Sequence, residues 1–223
     1  MIPTHTRAAI RKVLTSSFQH YYKREHMNIT GILIARPDEP GFEKHILPNL
    51  DWWHHRSDRY TEFFCLGFTP EAERPNQRPV LKLDGRPWFF STRAFSELIR
   101  DIEEHTRWRY SPGCHLLLLN SRYDKASKTA DLDYRHGLCI NIDKAVRDGA
   151  VDSADALAEQ VFAFAKTINE SPTEDPVYVF SDKAGWRLAK GALWKRLLAF
   201  LQKPLREFYH QAKHYAITEL EPA

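Results

Sequence analysis

Short runs of β-favouring residues alternate with stretches of helical periodicity along this 223-residue chain, which restricts it to α/β folds in which helices cover a sheet. Residues 29–35 read as a strand, 42–54 as a helix and 62–66 as a second strand, together a βαβ unit. Residues 80–83 and 88–91 flank Asp84-Gly85, a dipeptide that favours the tight turn of a hairpin. Residues 92–106 follow as a helix with Phe95, Leu98, Ile99 and Ile102 on one face and Ser91 or Thr92 as its cap. Further strands are expected at 115–120, 138–142 and 177–180, a helix at 154–168, and polar loops at 122–135 and 169–176. A long basic amphipathic helix, 185 to about 213 with a break at Pro204, is expected to close the chain.

Hydrophobic residues make up 43% of the chain, enough for a sizeable core, and no apolar run approaches the roughly 18 residues of a membrane span. No membrane partner is therefore expected. Cys65, Cys114 and Cys139 cannot all pair with one another and form no CxxC, which points to a reducing, cytoplasmic setting. The formal charge of +3 conceals two basic ends around an acidic middle. Residues 1–24 carry Arg7, Arg11, Lys12, Lys23 and Arg24 and no acid, while 183–214 carry eight basic residues against Glu207 alone. The acid-free N-terminal stretch resembles a transit peptide, yet its bulky Ile10, Val13, Leu14, Phe18 and Tyr21 at helical spacing favour an amphipathic helix docked on the body.

Three details between residues 29 and 105 carry a resemblance. Lys44-His45-Ile46-Leu47-Pro48 places a lysine four residues before a helix-kinking proline; Arg78-Pro79-Val80-Leu81 opens a hairpin closed at Gly85; Phe95 to Glu104 forms an amphipathic covering helix. With the order βαβ then ββα, this stretch resembles the thioredoxin-like fold. The resemblance implies a sheet with helices on both faces, a cis peptide bond before Pro79, and a groove beside that proline able to bind an extended segment. It also marks a departure. Where the family carries its two redox cysteines, this chain reads Pro40-Gly41-Phe42-Glu43, which supplies no thiolate and excludes disulfide exchange at that place. Three regions are expected: an N-terminal helix at 1–27, a thioredoxin-like domain at 28–110, and an α/β extension at 111–223 ending in the basic helix.

Several constellations are candidates for chemistry. In Trp52-Trp53-His54-His55-Arg56-Ser57-Asp58, His54 and Asp58 stand four apart on a helix, so the carboxylate is placed to orient the imidazole. Adjacent His54 and His55 diverge by about 100° and cannot share one metal without help from another element. If the strands ran parallel, Arg36, Asp38, Asn120, Arg122, Asp124, Asp143, Ser181 and Asp182 would gather at their carboxyl ends, where aspartates can hold Mg²⁺ for phosphoryl chemistry. The same residue types also make turns and cap helices. Cys114-His115 and His136-Gly137-Leu138-Cys139 lack the spaced pairs of a zinc site, and no phosphate-binding or hydrolase motif occurs. Arg107-Trp108-Arg109-Tyr110 interleaves cations with aromatics in the manner of a single-strand nucleic-acid platform.

The expectation is a redox-inactive binding or adaptor protein without a cofactor. Its contacts with a protein or nucleic-acid partner, or with a second copy, would run through Arg36, Trp53, Pro79, Arg107 and Arg109 and through Arg187, Lys190, Lys195 and Arg196 of the C-terminal helix. The competing expectation is a Mg²⁺-dependent phosphoesterase or nuclease built on Asp38, Asp124 and Asp182 with His54 and Asp58.

Overall fold

A computed structural model describes residues 2–57, 60–170, 173–183 and 216–223, with the side chains of 181–183 left aside. The chain is built around β2 (Asn28–Ile34), all seven residues of which are buried. Alternate side chains of a strand point to opposite faces, so a strand apolar on every position needs cover on both sides. Ile29 and Leu33 enter one core and Ile32 and Ile34 the other. β3 (Glu62–Leu66) runs parallel to β2 and splits likewise, Phe63 and Cys65 to the first face, Phe64 and Leu66 to the second.

The main sheet has six strands. β1 (Ile2–Thr4) lies parallel to β3, and on the far side of β2 come β7 (His115–Asp124), β8 (Thr129–Asn141) and β9 (Ile217–Leu220), each antiparallel to its neighbour, in the order β1-β3-β2-β7-β8-β9. A separate three-stranded antiparallel sheet, β4 (Phe68–Thr69), β6 (Arg86–Phe90) and β5 (Leu81–Leu83), is inserted after β3.

On one face α1 (Arg7–His20) and α3 (Thr92–His105) bring Ile10, Leu14, Phe18, Phe95, Leu98 and Ile102 against the sheet. Both helices start on hydroxyl caps: Thr6 accepts the Ala9 amide and Ser91 the Ala94 amide, each at 3.1 Å. Within α1's expected stripe, Tyr21 is exposed and Tyr22 takes the buried position. The other face is covered by a π-helical turn (Phe42–Ile46), α2 (Leu50–Ser57), the short α4 (Ile142–Arg147), α5 (Ala154–Glu170) and α6 (Pro176–Lys183). Among the described residues no helix is long and apolar enough to cross a membrane.

Four expectations about elements need revision. The single helix expected at 42–54 is interrupted, because Pro48 has no amide to donate; the Leu47 amide bonds back to Phe42 at 2.8 Å, and α2 begins two residues beyond the proline. The 122–135 loop is the two arms of a long hairpin, in which Ser121 and Tyr123 are buried and Arg122 and Asp124 exposed. The strand expected at 177–180 lies in α6, where Pro176 opens the helix and the Asp175 carboxylate accepts the Tyr178 amide at 3.0 Å. Finally, the last described element is strand β9 rather than a helix, while the basic helix expected at 185–213, with Arg187, Lys190, Lys195 and Arg196, lies outside the described residues. β2 and β7, on either side of the boundary expected at 110/111, are hydrogen-bonded neighbours over seven positions, Asn28↔Ser121 to Ile34↔His115.

Gly31 of β2 lies beneath the Phe63 ring, where an added Cβ would stand 2.4 Å from Phe63 Cδ2. Phe63 is held between Trp53 and Phe162, so Gly31→Ala is expected to destabilise the protein by about 1–3 kcal/mol through overpacking. Urea unfolding measures this, and an unchanged midpoint would show that the ring yields.

Candidate functional site

At the carboxyl end of β2 the chain turns through Arg36 to Gly41 into the π-helical turn. Arg36 and Asp38 satisfy each other in a two-bond pair, Nε to Oδ1 at 2.9 Å and Nη2 to Oδ2 at 2.7 Å, and this hydrogen bonding holds the Asp38 carboxyl below its ordinary range. Asp143, in the first turn of α4, lies over Gly41 so closely that a Cβ there would meet Oδ1 at 2.2 Å. Its Oδ2 accepts the Cys114 amide at 2.8 Å. The Gly41 backbone is thus packed against a carboxylate.

The three thiols are all buried and free. Burial pushes Cys65 and Cys139 up to about 12, and raises Cys114 well above the ordinary thiol range, with Asp143 and Glu39 adding to that rise. None is a thiolate at neutral pH.

Of the strand-end aspartates, Asp143 lies near the turn that carries Asp38, but Asp124 does not join them. β7 runs against β2, so its carboxyl end lies at the opposite edge of the sheet, and ten residues of strand put about 30 Å between the level of Asp38 and that of Asp124. Asp124 instead caps the β7–β8 turn, accepting the amides of Ala126 at 2.9 Å and Ser127 at 3.3 Å. The Mg²⁺ cluster expected from Asp38 and Asp124 is overturned by this antiparallel order; the side chain of Asp182 is not among those described.

Other expected contact residues serve the fold. Trp53 is buried, its indole donating to Asp155 at 3.2 Å between α2 and α5; the neighbouring exposed ring is Trp52. The peptide bond before Pro79 is trans, and Pro79 precedes β5 of the small sheet, so the expected cis-proline groove is absent there. Arg107 pairs with Glu221 at 2.9 Å, Arg109 caps the end of α3 through the carbonyls of Glu103, Thr106 and Trp108, and Trp108 is buried. That segment presents no stacking platform.

His54, half-buried on α2, donates through Nε2 to Asp84 Oδ2 at 2.8 Å, drawing its partner from the β5–β6 turn. The expected partner Asp58 lies outside the described residues. His55 on the next position has Nε2 3.5 Å from Asp84 Oδ1 and 3.9 Å from Asp51 Oδ1.

Where the β7–β8 register breaks, the structure builds a site. Leu119 pairs with Gly137 but Asn120 pairs with Asp133, so Tyr134, Arg135 and His136 form a bulge on β8. Tyr134 turns inward, stacked on His105, while exposed Arg135 and His136 line a cleft of about 590 Å³ shared with Arg24, His26, Arg122, Tyr123 and Lys125. Four acids also line the cleft, Glu25, Asp133, Glu174 and Asp175, and three of them are engaged internally. Asp133 is gripped by Arg135 through 3.0 Å bonds to Nε and a 2.6 Å bond to Nη2; Asp175 accepts from buried Asn120 at 2.7 Å and caps α6; Glu25 faces Lys125 at 3.5 Å. Arg24 lies over the Tyr123 ring at 5.4 Å, and Arg122 projects from the strand with no ion pair among the described residues. Asn120 and Arg122 are singled out by sequence as strand-end residues, Arg24 only as part of the basic N-terminal block and His136 only beside Cys139; strand order and the bulge bring these and Arg135 to the cleft. No protein-family model, curated protein or solved structure matches this chain.

In the native state none of the three cysteines is expected to react with a thiol-specific disulfide reagent at pH 8, whereas all three react once the chain is unfolded in guanidinium. Rapid labelling of one native thiol would contradict the burial described above.

Proposed function

We propose that this chain is a redox-inactive, thioredoxin-like binding module that binds nucleic acid through the arginines of the cleft and through its basic C-terminal segment. The fold part of the reading is supported by a β2-α2-β3 unit followed by a β7-β8-α5 unit in one sheet with helices on both faces, the βαβ-then-ββα order. These elements differ from those that suggested the resemblance, since the β7–β8 hairpin takes the role first assigned to β5–β6. The absence of a thiol at Pro40-Gly41-Phe42-Glu43 and the burial of all three cysteines support a binding role over thiol exchange.

The observation that carries the partner class is the convergence of Arg24, Arg122, Lys125 and Arg135 on one cleft in which three of the four lining acids, Glu25, Asp133 and Asp175, are already engaged. Arg24 and Arg122, which make no ion pair among the described residues, are free to attract phosphate, and Tyr123 adds an aromatic edge. The eight basic residues of 183–214 stand in the sequence from the end of α6 to just before β9, two elements packed on β8, whose bulge forms a wall of the cleft.

A labelled single-stranded oligonucleotide tests this by fluorescence anisotropy across a salt series. Affinity is expected to fall steeply with salt, with a slope of about −2 to −3 for three to four phosphate contacts. Arg24→Glu with Arg122→Glu should weaken binding by about tenfold or more, as should reversal of Arg187, Lys190, Lys195 and Arg196. These substitutions are preferable to truncation, which would remove β9. A flat salt response, or affinity unmoved by both sets, would overturn the nucleic-acid reading in favour of a protein partner.

A further inference from the structure

The cluster where α2 meets the β5–β6 turn lies apart from the cleft and plays no part in the reading above. Asp51 and His55 stand four apart on α2 and so share one of its faces. Asp84 comes from a different element. Asp84 and Gly85 occupy left-handed backbone at φ 48° and 73°, the pattern of a tight hairpin turn, which fixes the direction of the aspartate side chain. One donor atom from each of Asp51, His55 and Asp84 lies within 4.8 Å of the other two.

We propose that Asp51, His55 and Asp84 form a binding site for a divalent transition metal of the zinc class, closed between α2 and the β5–β6 turn. Tetrahedral zinc with nitrogen and oxygen ligands at about 2.0–2.2 Å holds neighbouring donor atoms about 3.3 Å apart. Here His55 Nε2 stands 3.5 Å from Asp84 Oδ1 and 3.9 Å from Asp51 Oδ1, so closing the set on an ion needs only small side-chain rotations of exposed groups. One imidazole with two carboxylates favours zinc and its neighbours over calcium or magnesium, which prefer oxygen alone. A divalent cation would neutralise both carboxylates of the set. His54 completes the arrangement from outside the ligand set: its Nε2–H holds Asp84 Oδ2 at 2.8 Å and leaves Oδ1 directed at His55, the outer-shell bond that orients a ligating carboxylate. Three protein ligands leave a fourth position for water or for a group from a binding partner.

Titration of the metal-free full chain with Zn²⁺ in a calorimeter, and with Co²⁺ followed by visible absorption, tests the assignment. One equivalent per chain is expected. His55→Gln and Asp84→Asn should each weaken Zn²⁺ binding at least tenfold, and His54→Gln by about tenfold as an orienting residue. Because His55 and Asp84 are exposed or nearly so, circular dichroism should show the variants folded; if one is not, the other and Asp51→Asn read the same site. Absence of Zn²⁺ binding, or binding untouched by these substitutions, would overturn the proposal and leave the cluster as ordinary surface ion pairing.

Discussion

A strand with no solvent-facing side organises this molecule. Each residue of β2 is buried, so the chain must supply apolar cover above and below it and a hydrogen-bonded neighbour on each edge. The covers are α1 and α3 on one face and α2, α5 and α6 on the other; the neighbours are β3, parallel, and β7, antiparallel. The switch from parallel to antiparallel pairing at β2 then decides the geography of polar groups. In a wholly parallel sheet the aspartates that follow strands would share one edge; here Asp38 and Asp124 are at opposite edges, and each is satisfied locally, by Arg36 and by turn amides.

The fate of the carboxylates shows the same economy elsewhere. Asp101 and Asp131 tie α1 to the body through Arg7, which bonds Asp101 at 2.8 and 2.9 Å; Asp175 links Asn120 of β7 to the start of α6; Asp143 closes the loop around Gly41 and Cys114. Polar groups at the margins of a core are stable when hydrogen-bonded in this way. Arg122 in the cleft, which makes no ion pair among the described residues, is informative for the same reason.

Strands β2 and β3, helices α3 and α5 and the Ser91 cap were legible from residue pattern, because burial on one or both faces writes a period into the sequence. β7 and β8 were legible only at 115–120 and 138–142; their turn-proximal arms were not, since alternation such as Ser121-Arg122-Tyr123-Asp124 uses small or amphipathic residues on its inner face and looks polar throughout. Val177 to Phe180 was ambiguous in principle: a four-residue apolar run suits a buried strand or a helical turn, and Pro176 with Asp175 decides for the helix. Sites were harder still. His54 finds Asp84 thirty residues away, and the cleft gathers Arg24, Arg122 and Arg135 from three elements through a bulge that leaves no local signature.

The pairing of β9 with β8 has a kinetic side. Gly137 leaves room for Leu220, whose side chain would stand 2.7 Å from any Cβ at that position, and β8 acquires this outer neighbour from a segment some 80 residues further along the chain. Contacts so distant in sequence close late during folding. Until β9 arrives, the edge of β8 around Leu138 and Ile140 presents unpaired amides and carbonyls beside apolar side chains, the kind of edge on which unrelated chains pair and aggregate. The interval between forming the central sheet and seating its last strand is therefore when this protein is most exposed to misassembly.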